Sequence, residues 1–585
     1  MCGIVGYVGE QHPIKILLDG LKCQEYRGYD SSGIVLQNND DCQIIKSVGK
    51  ISNLEDKINN TKLIECNMGL AHTRWATHGE ANETNAHPHK VGKVTLVHNG
   101  IIENAKELKD KLIDEGIKFS SETDTEVACA LISYYYDKEK DIKKAIEKAC
   151  SEIVGSYAFG ILVDGIDKVY AIRKDSPLIL GIGKGEYFIA SDIAAIINYT
   201  NQYILLDENE LVEMSSSDYS VTKNGKKVKK EVLTATIDAS YKEKNGYPHF
   251  MLKEIMEEPI VLEKTLKPIL SDISLLPDLK QYEEIHIIGC GSAYYAGMIG
   301  KSLFEENGIR AIVEVASEYR YKKVLYDRKT LVILISQSGE TADTIAAMRK
   351  ANENNIDTLA IVNVKTSTIA RESKNQIFIE AGPEIAVATT KAYILQVAIL
   401  SLLAYSCGES DSKVIEDFNS IPGLLREILD RKDEYLKIAK DIYKNDNIFF
   451  IGRKLDYSIC MEGSLKLKEV SYIHSEAYQA GELKHGTISL IEEGTPVFGI
   501  ITEDDIREKT ISNVEEVKSR GAKVIIVTNS DIDGYEYVVK VKKVSKYVQS
   551  LLVVPVLQLI AYEVAKLRGC VIDKPRNLAK SVTVE

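Results

Sequence analysis

Met1-Cys2-Gly3-Ile4-Val5-Gly6 opens the chain, and its second residue decides how the first half is read. Once the initiator methionine is trimmed, Cys2 carries a thiol and a free α-amine a few ångströms apart. Their unperturbed pKa values, about 8.5 and about 7.7–8.0, let the amine take the thiol proton near neutral pH. The result is a nucleophile with a built-in base. Ile4-Val5 and Tyr7-Val8, separated by Gly6, predict a buried strand that holds Cys2 rigidly. Taken alone, Met-Cys-Gly also fits a small residue that merely follows the start, so the motifs downstream decide.

At 585 residues the chain is long enough for about four ordinary domains. Its 44% hydrophobic and 27% charged content is that of a soluble globular protein. A net charge of -13 argues against nucleic acid as a partner, and any anionic substrate must be held by local donors. The ten cysteines are scattered without a Cys-x-x-Cys pair, and no basic and apolar leader is seen. Free thiols in a reducing cytoplasm are expected. The longest uncharged run, 392–408, contains Gln396, Ser401 and Ser406, which predicts a buried core helix and no membrane partner.

Outward from Cys2, residues 1–240 alternate short strands with turns, at 32–36, 93–97, 157–163 and 187–190. Helical stretches fall at 104–115 and 124–136, the second opened by Thr123-Asp124-Thr125-Glu126. This half is expected to be α+β with mainly antiparallel sheets. The basic run 223–230 predicts a hairpin on a solvated edge. Residues 241–282 are assigned to a linker and a leading helix.

Beyond that the pattern becomes strand-loop-helix, which implies parallel sheets, and it repeats. Ile285-His286-Ile287-Ile288-Gly289 returns as Ile448-Phe449-Phe450-Ile451-Gly452, and Ala360-Ile361-Val362-Asn363 as Ile526-Val527-Thr528-Asn529, at a spacing of 163–166 residues. Two copies of one doubly wound domain are expected, at 283–425 and 435–570. The polar stretch 571–585 is expected to be a tail that buries little surface and adds little stability.

Chemistry concentrates in two places. In the first half, Ala71-His72-Thr73-Arg74-Trp75-Ala76-Thr77-His78-Gly79 holds the only tryptophan, and His98-Asn99-Gly100 ends an apolar strand. Five of the ten histidines fall nearby, but no His-x-x-x-His with a catalytic Glu occurs, so no metal is expected. Transfer of an amide nitrogen from a free amino acid suits these residues better. Arg74 can clamp the carboxylate, and Asp124 at a helix start can meet the ammonium. The Asn99 side chain and Gly100 N–H can form an oxyanion hole, worth ~3–4 kcal/mol per donor.

These motifs, with Glu25-Tyr26-Arg27-Gly28-Tyr29-Asp30-Ser31, Asn85-Ala86-His87-Pro88-His89 and Ser121-Glu122-Thr123-Asp124, resemble the class II glutamine amidotransferase family. The resemblance implies an N-terminal-nucleophile hydrolase fold with αββα layers. It implies catalytic Cys2, Asn99 and Gly100, with glutamine held by Arg74, Trp75, Thr77, His78, His87 and Asp124.

In the second half, Gly289-Cys290-Gly291-Ser292-Ala293 lacks the third glycine of a dinucleotide fingerprint. Ser336-Gln337-Ser338-Gly339-Glu340-Thr341 follows a strand and opens a helix, an anion cradle built from hydroxyls and helix N–H groups. No Gly-Lys-Ser/Thr accompanies it, so a nucleoside-triphosphate loop is excluded. These loops, with Glu462-Gly463-Ser464-Leu465-Lys466-Leu467-Lys468-Glu469 and Gly481-Glu482-Leu483-Lys484-His485-Gly486, resemble the sugar isomerase (SIS) family, whose flavodoxin-like domains bind phosphosugars.

Together the resemblances imply an enzyme that moves ammonia from glutamine to fructose 6-phosphate and isomerises the product, as a cytoplasmic homodimer and without cofactor. Phosphate would lie on Ser336, Gln337, Ser338 and Thr341, with Cys290, Gly291, Ser292, Val387, Thr389 and Lys466 also touching the sugar. His485 would assist ring opening, and Glu469 would move a proton between C1 and C2. Lys580 would meet the open-chain carbonyl as a partly desolvated, neutral amine. Ala293 and Thr389 depart from the residues usual in the family. A phosphosugar deaminase and a non-catalytic phosphosugar sensor are the competing readings, and the intact Cys2, Arg74, Asn99 and Asp124 set argues against both.

Overall fold

In the computed structural model the chain forms two compact units, residues 1–243 with 581–585, and residues 244–580. The structure describes residues 2–25, 30–39, 41–75, 79–235 and 243–583.

The first unit is built on two antiparallel sheets. The eight-stranded sheet runs Leu233–Thr234, Gln202–Leu205, Ile179–Ile182, Tyr187–Ala190, Gly3–Val8, Met68–Arg74, Ser31–Gln37 and Cys42–Val48. The seven-stranded sheet runs Lys226–Lys227, Tyr219–Lys223, Leu211–Met214, Val169–Lys174, Gly155–Val163, Val94–Ile102 and His89–Val91. Their facing side chains, among them Ile4, Leu70, Val97, Leu162 and Val212, make one buried core. Helices Ile14–Gln24 and Ile51–Asn59 pack on the outer face of the first sheet. Ala105–Asp114, Asp124–Glu139 and Ile142–Glu152 cover the second. The layers are therefore αββα, as expected.

Three of these helices were not foreseen. Ile14–Gln24 and Ile51–Asn59 lack a side-chain cap and an acidic first turn, the local signals that mark a helix start. Ile142–Glu152 does carry such a cap, Asp141, which accepts from the Lys143 and Lys144 N–H groups. The basic run does form a hairpin, turning at Asn224-Gly225, both with positive φ as the two central positions of a tight turn require.

The second unit contains two parallel five-stranded sheets of identical order. One runs Arg310–Val315, Glu284–Gly289, Thr330–Ser336, Asp357–Val362 and Asn375–Phe378. The other runs His474–Gln479, Asn447–Gly452, Pro496–Ile501, Lys523–Thr528 and Tyr537–Lys540. The repeat read from the sequence is thus a repeat of topology. Each copy has an apolar cluster of its own, around Val332 and Met348 in the first and Val497 and Val514 in the second, and the two also share an interior. One continuous core joins Ile287 and Leu303 of the first to Phe450, Leu467 and Val553 of the second. Helices Phe250–Ser271, Lys391–Cys407 and Lys546–Leu567 run through it.

Among the described residues, Lys546–Leu567 is the one helix long and apolar enough to cross a membrane, and 94% of its apolar window is buried inside the protein. Such burial marks a core helix. The run 392–408 foreseen from composition forms the shorter, equally buried Lys391–Cys407.

All ten cysteines are free. Burial pushes the thiols of Cys129 and Cys150 up to about 12. Cys66 and Cys407 rise to about 11 for the same reason.

Candidate active sites

The strand Gly3–Val8 lies between Met68–Arg74 and Tyr187–Ala190, with Gly3 opposite Thr73. Cys2 therefore emerges beside the end of its neighbour, at Arg74 and Trp75. A Cβ at Gly3 would lie 2.9 Å from Gln24 Cβ, so a side chain there would force Gln24 to shift. Cys2 Sγ accepts the Trp75 N–H at 3.3 Å and lies 3.6 Å from the Trp75 carbonyl. Burial raises the thiol above its usual value, while the positive amino terminus, the Trp75 amide and Arg74 oppose that rise.

The Asn99 amide is oriented on both sides. Its Oδ1 lies 3.1 Å from His72 Nε2, which also meets the His98 carbonyl at 2.9 Å. Both of these partners accept, so Nε2 carries the hydrogen. Burial pulls His72 down to about 3 and keeps the ring neutral. Asn99 Nδ2 donates to Ser191 Oγ at 2.8 Å, and the same oxygen accepts the Ile4 N–H at 2.9 Å. Cys2's strand and the Asn99 amide thus share one anchor. Gly100 has φ +141°, and a Cβ there would meet the Ser156 carbonyl at 2.1 Å, so only glycine fits.

Arg74 is buried and donates to the Gly79 and Glu80 carbonyls at 3.2 and 3.3 Å. Asp124 begins its helix as expected, and Oδ2 accepts the Ile102 N–H at 2.9 Å. The histidines form a packed group: His72 stacks on His87 with centroids 4.1 Å apart, and His87 meets His89 edge-on at 5.1 Å. Burial also lowers His87 and His89, the latter to about 3. His87 therefore supports His72 from behind. Trp75 is half-buried, and Thr77 and His78 lie outside the described residues.

In the second unit, the predicted cradle follows the strand Thr330–Ser336 and opens the helix Ala342–Glu353. Ser336 Oγ lies 2.9 Å from Thr341 Oγ1 and accepts the Gly339 N–H at 3.0 Å. Ser338 Oγ accepts the Glu340 N–H at 3.1 Å. The Gln337 carbonyl accepts from the Asn363 N–H at 3.2 Å. Gly339, with φ +65°, makes the turn. Cys290 and Gly291 lead into the helix Ser292–Glu306, and Ser292 Oγ donates to Glu462 Oε1 at 3.1 Å.

Lys466, 1% exposed, reaches Glu469 at 2.5 Å and Glu462 at 3.6 Å. Two carboxylates share one ammonium. Burial pulls Lys466 down, but the two acids more than offset it. Burial and the nearby Glu469 lift Glu462 to about 7 against the pull of Lys466. His485 sits exposed on the turn Glu482–His485 and makes no hydrogen bond or ion pair among the described residues.

The tail is docked rather than loose. Asp573 accepts the Phe250 and Met251 N–H groups, both at 3.0 Å, and so caps the helix Phe250–Ser271. Its carbonyl accepts the Val387 N–H at 3.0 Å. Val582 in this tail is 51% exposed. Lys580 forms a 2.5 Å ion pair with Glu384, whose side chain is fully buried. Burial pushes Glu384 up, but Lys580, the Thr389 hydroxyl (2.6 Å) and the Thr390 N–H (3.0 Å) hold it down at about 2. The unusual Thr389 thus spends its hydroxyl on Glu384. Glu254 receives the N–H groups of Ile385 and Ala386, and burial with Glu384 nearby raises it to about 8.

Glu254, Glu384 and Glu462 were missed from the sequence. Their partners lie more than 100 residues away, except for the short-range bonds of Glu384 and Glu462. The available signal was an acid set among apolar residues, as in Pro383-Glu384-Ile385-Ala386.

Comparison with known proteins shows the family. The family model "Glutamine amidotransferase domain" matches residues 72–198, and "SIS domain" matches 278–406 and 441–567. The glutamine–fructose-6-phosphate aminotransferase (isomerizing) of Clostridium tetani is 46% identical over 617 residues, covering 100% of both chains. The enzyme of that name from Thermus thermophilus is 40% identical over 607 residues, again covering 100% of both. Among solved structures, the C-terminal domain of glucosamine-fructose-6-phosphate aminotransferase from Francisella tularensis matches with TM-score 0.54 and 34% identity, covering 57% of this chain and 99% of that one. Tagatose-6-phosphate ketose/aldose isomerase from Escherichia coli shares the fold, with TM-score 0.50 and 17% identity over 58% of this chain and 98% of that one. With a glutamine amidotransferase unit, two SIS repeats and full-length identity to these enzymes, the chain belongs to the glutamine–fructose-6-phosphate aminotransferase (isomerizing) family.

Proposed function

We propose that the chain converts glutamine and fructose 6-phosphate into glutamate and glucosamine 6-phosphate, with residues 1–240 serving glutamine and 283–425, 435–570 and 571–585 serving the sugar. The carrying observation is Cys2 Sγ on the Trp75 amide, with the Asn99 amide oriented by neutral His72 and Ser191. Cys2 Sγ attacks the glutamine amide carbon, and the oxyanion is met by Asn99 Nδ2 and the Gly100 N–H. Collapse expels ammonia and leaves a thioester, which water hydrolyses to glutamate. The α-amine exposed by loss of Met1 takes the thiol proton and returns it to the leaving nitrogen. Arg74 and Asp124 hold the carboxylate and ammonium of glutamine, aided by Trp75, Thr77, His78 and His87.

At the sugar, phosphate rests on Ser336, Gln337, Ser338 and Thr341 at a helix N-terminus. Cys290, Gly291, Ser292, Val387 and Thr389 line the ring, and His485 assists its opening. Lys580 condenses with the C2 carbonyl, losing water, and ammonia then displaces the Lys580 amine to leave the sugar imine. Glu469, paired with Lys466, then moves a proton from C1 to C2 of the imine. A carboxylate and a cation suffice for that shift, so no metal or redox cofactor is needed. Lys580 meets the open-chain carbonyl and must first yield its proton from the pair with Glu384. The family reading extends to a cytoplasmic homodimer without nucleic-acid or membrane partners. The test is glucosamine 6-phosphate formation from the two substrates, beside light scattering for the oligomer. Fructose 6-phosphate binding without product would leave a sensor instead.

A further inference from the structure

Residues 379–390 join the strand Asn375–Phe378 to the helix Lys391–Cys407 without a helix or strand of their own, so their N–H groups need acceptors from elsewhere. Glu254 Oε1 takes the N–H groups of Ile385 and Ala386 at 2.5 and 3.2 Å, and the Asp573 carbonyl takes that of Val387 at 3.0 Å. Asp573 is itself tied to the start of the helix Phe250–Ser271, and Glu254 lies one turn into that helix. Next to these pinned groups, Glu384 spends one oxygen on the Thr390 and Ala392 N–H groups at 3.0 and 3.1 Å. Its other oxygen meets the Thr389 hydroxyl and Lys580.

Glu254 is 2% exposed, and its Oε2 has no partner among the described residues. The charges around it are already matched. Glu384 pairs with Lys580, and Lys391 pairs at 2.8 Å with Glu257, which also lies 3.8 Å from Lys253. Burial raises Glu258, one turn further along the same helix, as well. Ionised, Glu254 would hold an unpaired buried charge. Neutral, it accepts both N–H groups at far smaller cost.

We propose that Glu254 is a positioning residue for the sugar chemistry: by fixing the Ile385 and Ala386 N–H groups it sets where Glu384 presents Lys580, and where Val387 and Thr389 meet the ring. The role of Lys580 at the carbonyl rests on the function proposed above. The test compares Glu254→Gln and Glu254→Ala with the wild type, per folded molecule. Two readouts are taken: glucosamine 6-phosphate synthesis, and borohydride reduction of the imine between Lys580 and C2 of fructose 6-phosphate. A Gln side chain still accepts both N–H groups, so near pH 7 its kcat should stay within about twofold of the wild type. Ala frees the segment, and displacement by about an ångström costs ~100-fold, so kcat should fall at least about tenfold and trapping should slow with it. Glu254 titrates near 8, so trapping by the wild type and the Gln variant should coincide below about pH 8 and part above it. The Gln variant should then be the faster, because a charge on Glu254 would hold the proton on Lys580. Normal kcat in the Ala variant, equal losses in both variants near pH 7, or profiles that never part would overturn the proposal. If the Ala variant does not fold, the Gln profile decides. A wild type that makes product but traps no sugar on Lys580 would remove the carbonyl reading of Lys580, and the two kcat values would still decide the place of Glu254.

Discussion

Cys2 gains its reactivity from position as well as from its atoms. If the α-amine is the base, any residue left ahead of Cys2 should abolish glutamine hydrolysis as completely as Cys2→Ala. An uncleaved N-terminal tag with full glutaminase turnover would contradict this. Glu469→Gln should lose glucosamine 6-phosphate formation, while glutamine hydrolysis measured with fructose 6-phosphate largely survives, since the two residues belong to different units. Lys580→Arg should keep the charge facing Glu384 yet fail in synthesis, because a guanidinium cannot form an imine. Borohydride with fructose 6-phosphate should add sugar mass to the Lys580 peptide in the wild type alone. Near-normal synthesis by the Arg variant would reduce Lys580 to a charge contact.

The tail shows where sequence patterning stops informing. Its polarity suggested a segment of little energetic weight, but polarity is what allows Asp573 to cap a helix more than 300 residues earlier and Lys580 to neutralise Glu384. Truncation after Asn577 removes that cation and leaves a buried carboxylate. Loss of one partner of a buried pair costs ~3–5 kcal/mol, so the melting temperature should drop by roughly 5 °C or more. Asp573→Ala should cost ~1 kcal/mol through the lost cap. By contrast, the Cys2 strand, the Asp124 helix and both cradle loops were legible, because each is written in adjacent residues. Glu254 and Glu384 were not, because their roles arise from groups that only folding brings near.

These two buried acids also shape the stability of the protein as a whole, with opposite signs. Glu384 has a folded value near 2, so its contribution is present above the unfolded value of about 4.3 and is lost as pH falls toward 2. Glu254 has a folded value near 8, so its contribution is present below about 4.3 and is lost as pH rises toward 8. The windows do not overlap. Glu254→Gln should therefore flatten the fall in urea midpoint between about pH 4.3 and pH 8 and leave the acid limb unchanged. An unaltered profile across that interval would show that Glu254 is ionised in the native protein.

The depth at which most thiols lie has a practical corollary. Burial withholds thiolate from Cys66, Cys129, Cys150 and Cys407, so indiscriminate alkylating agents find little to attack there. Cys2 is disfavoured by burial too, and what distinguishes it under the proposed function is glutamine bound beside it. An electrophile dressed as glutamine should consequently mark a single peptide, at the chain's beginning, and count functional molecules in a crude extract.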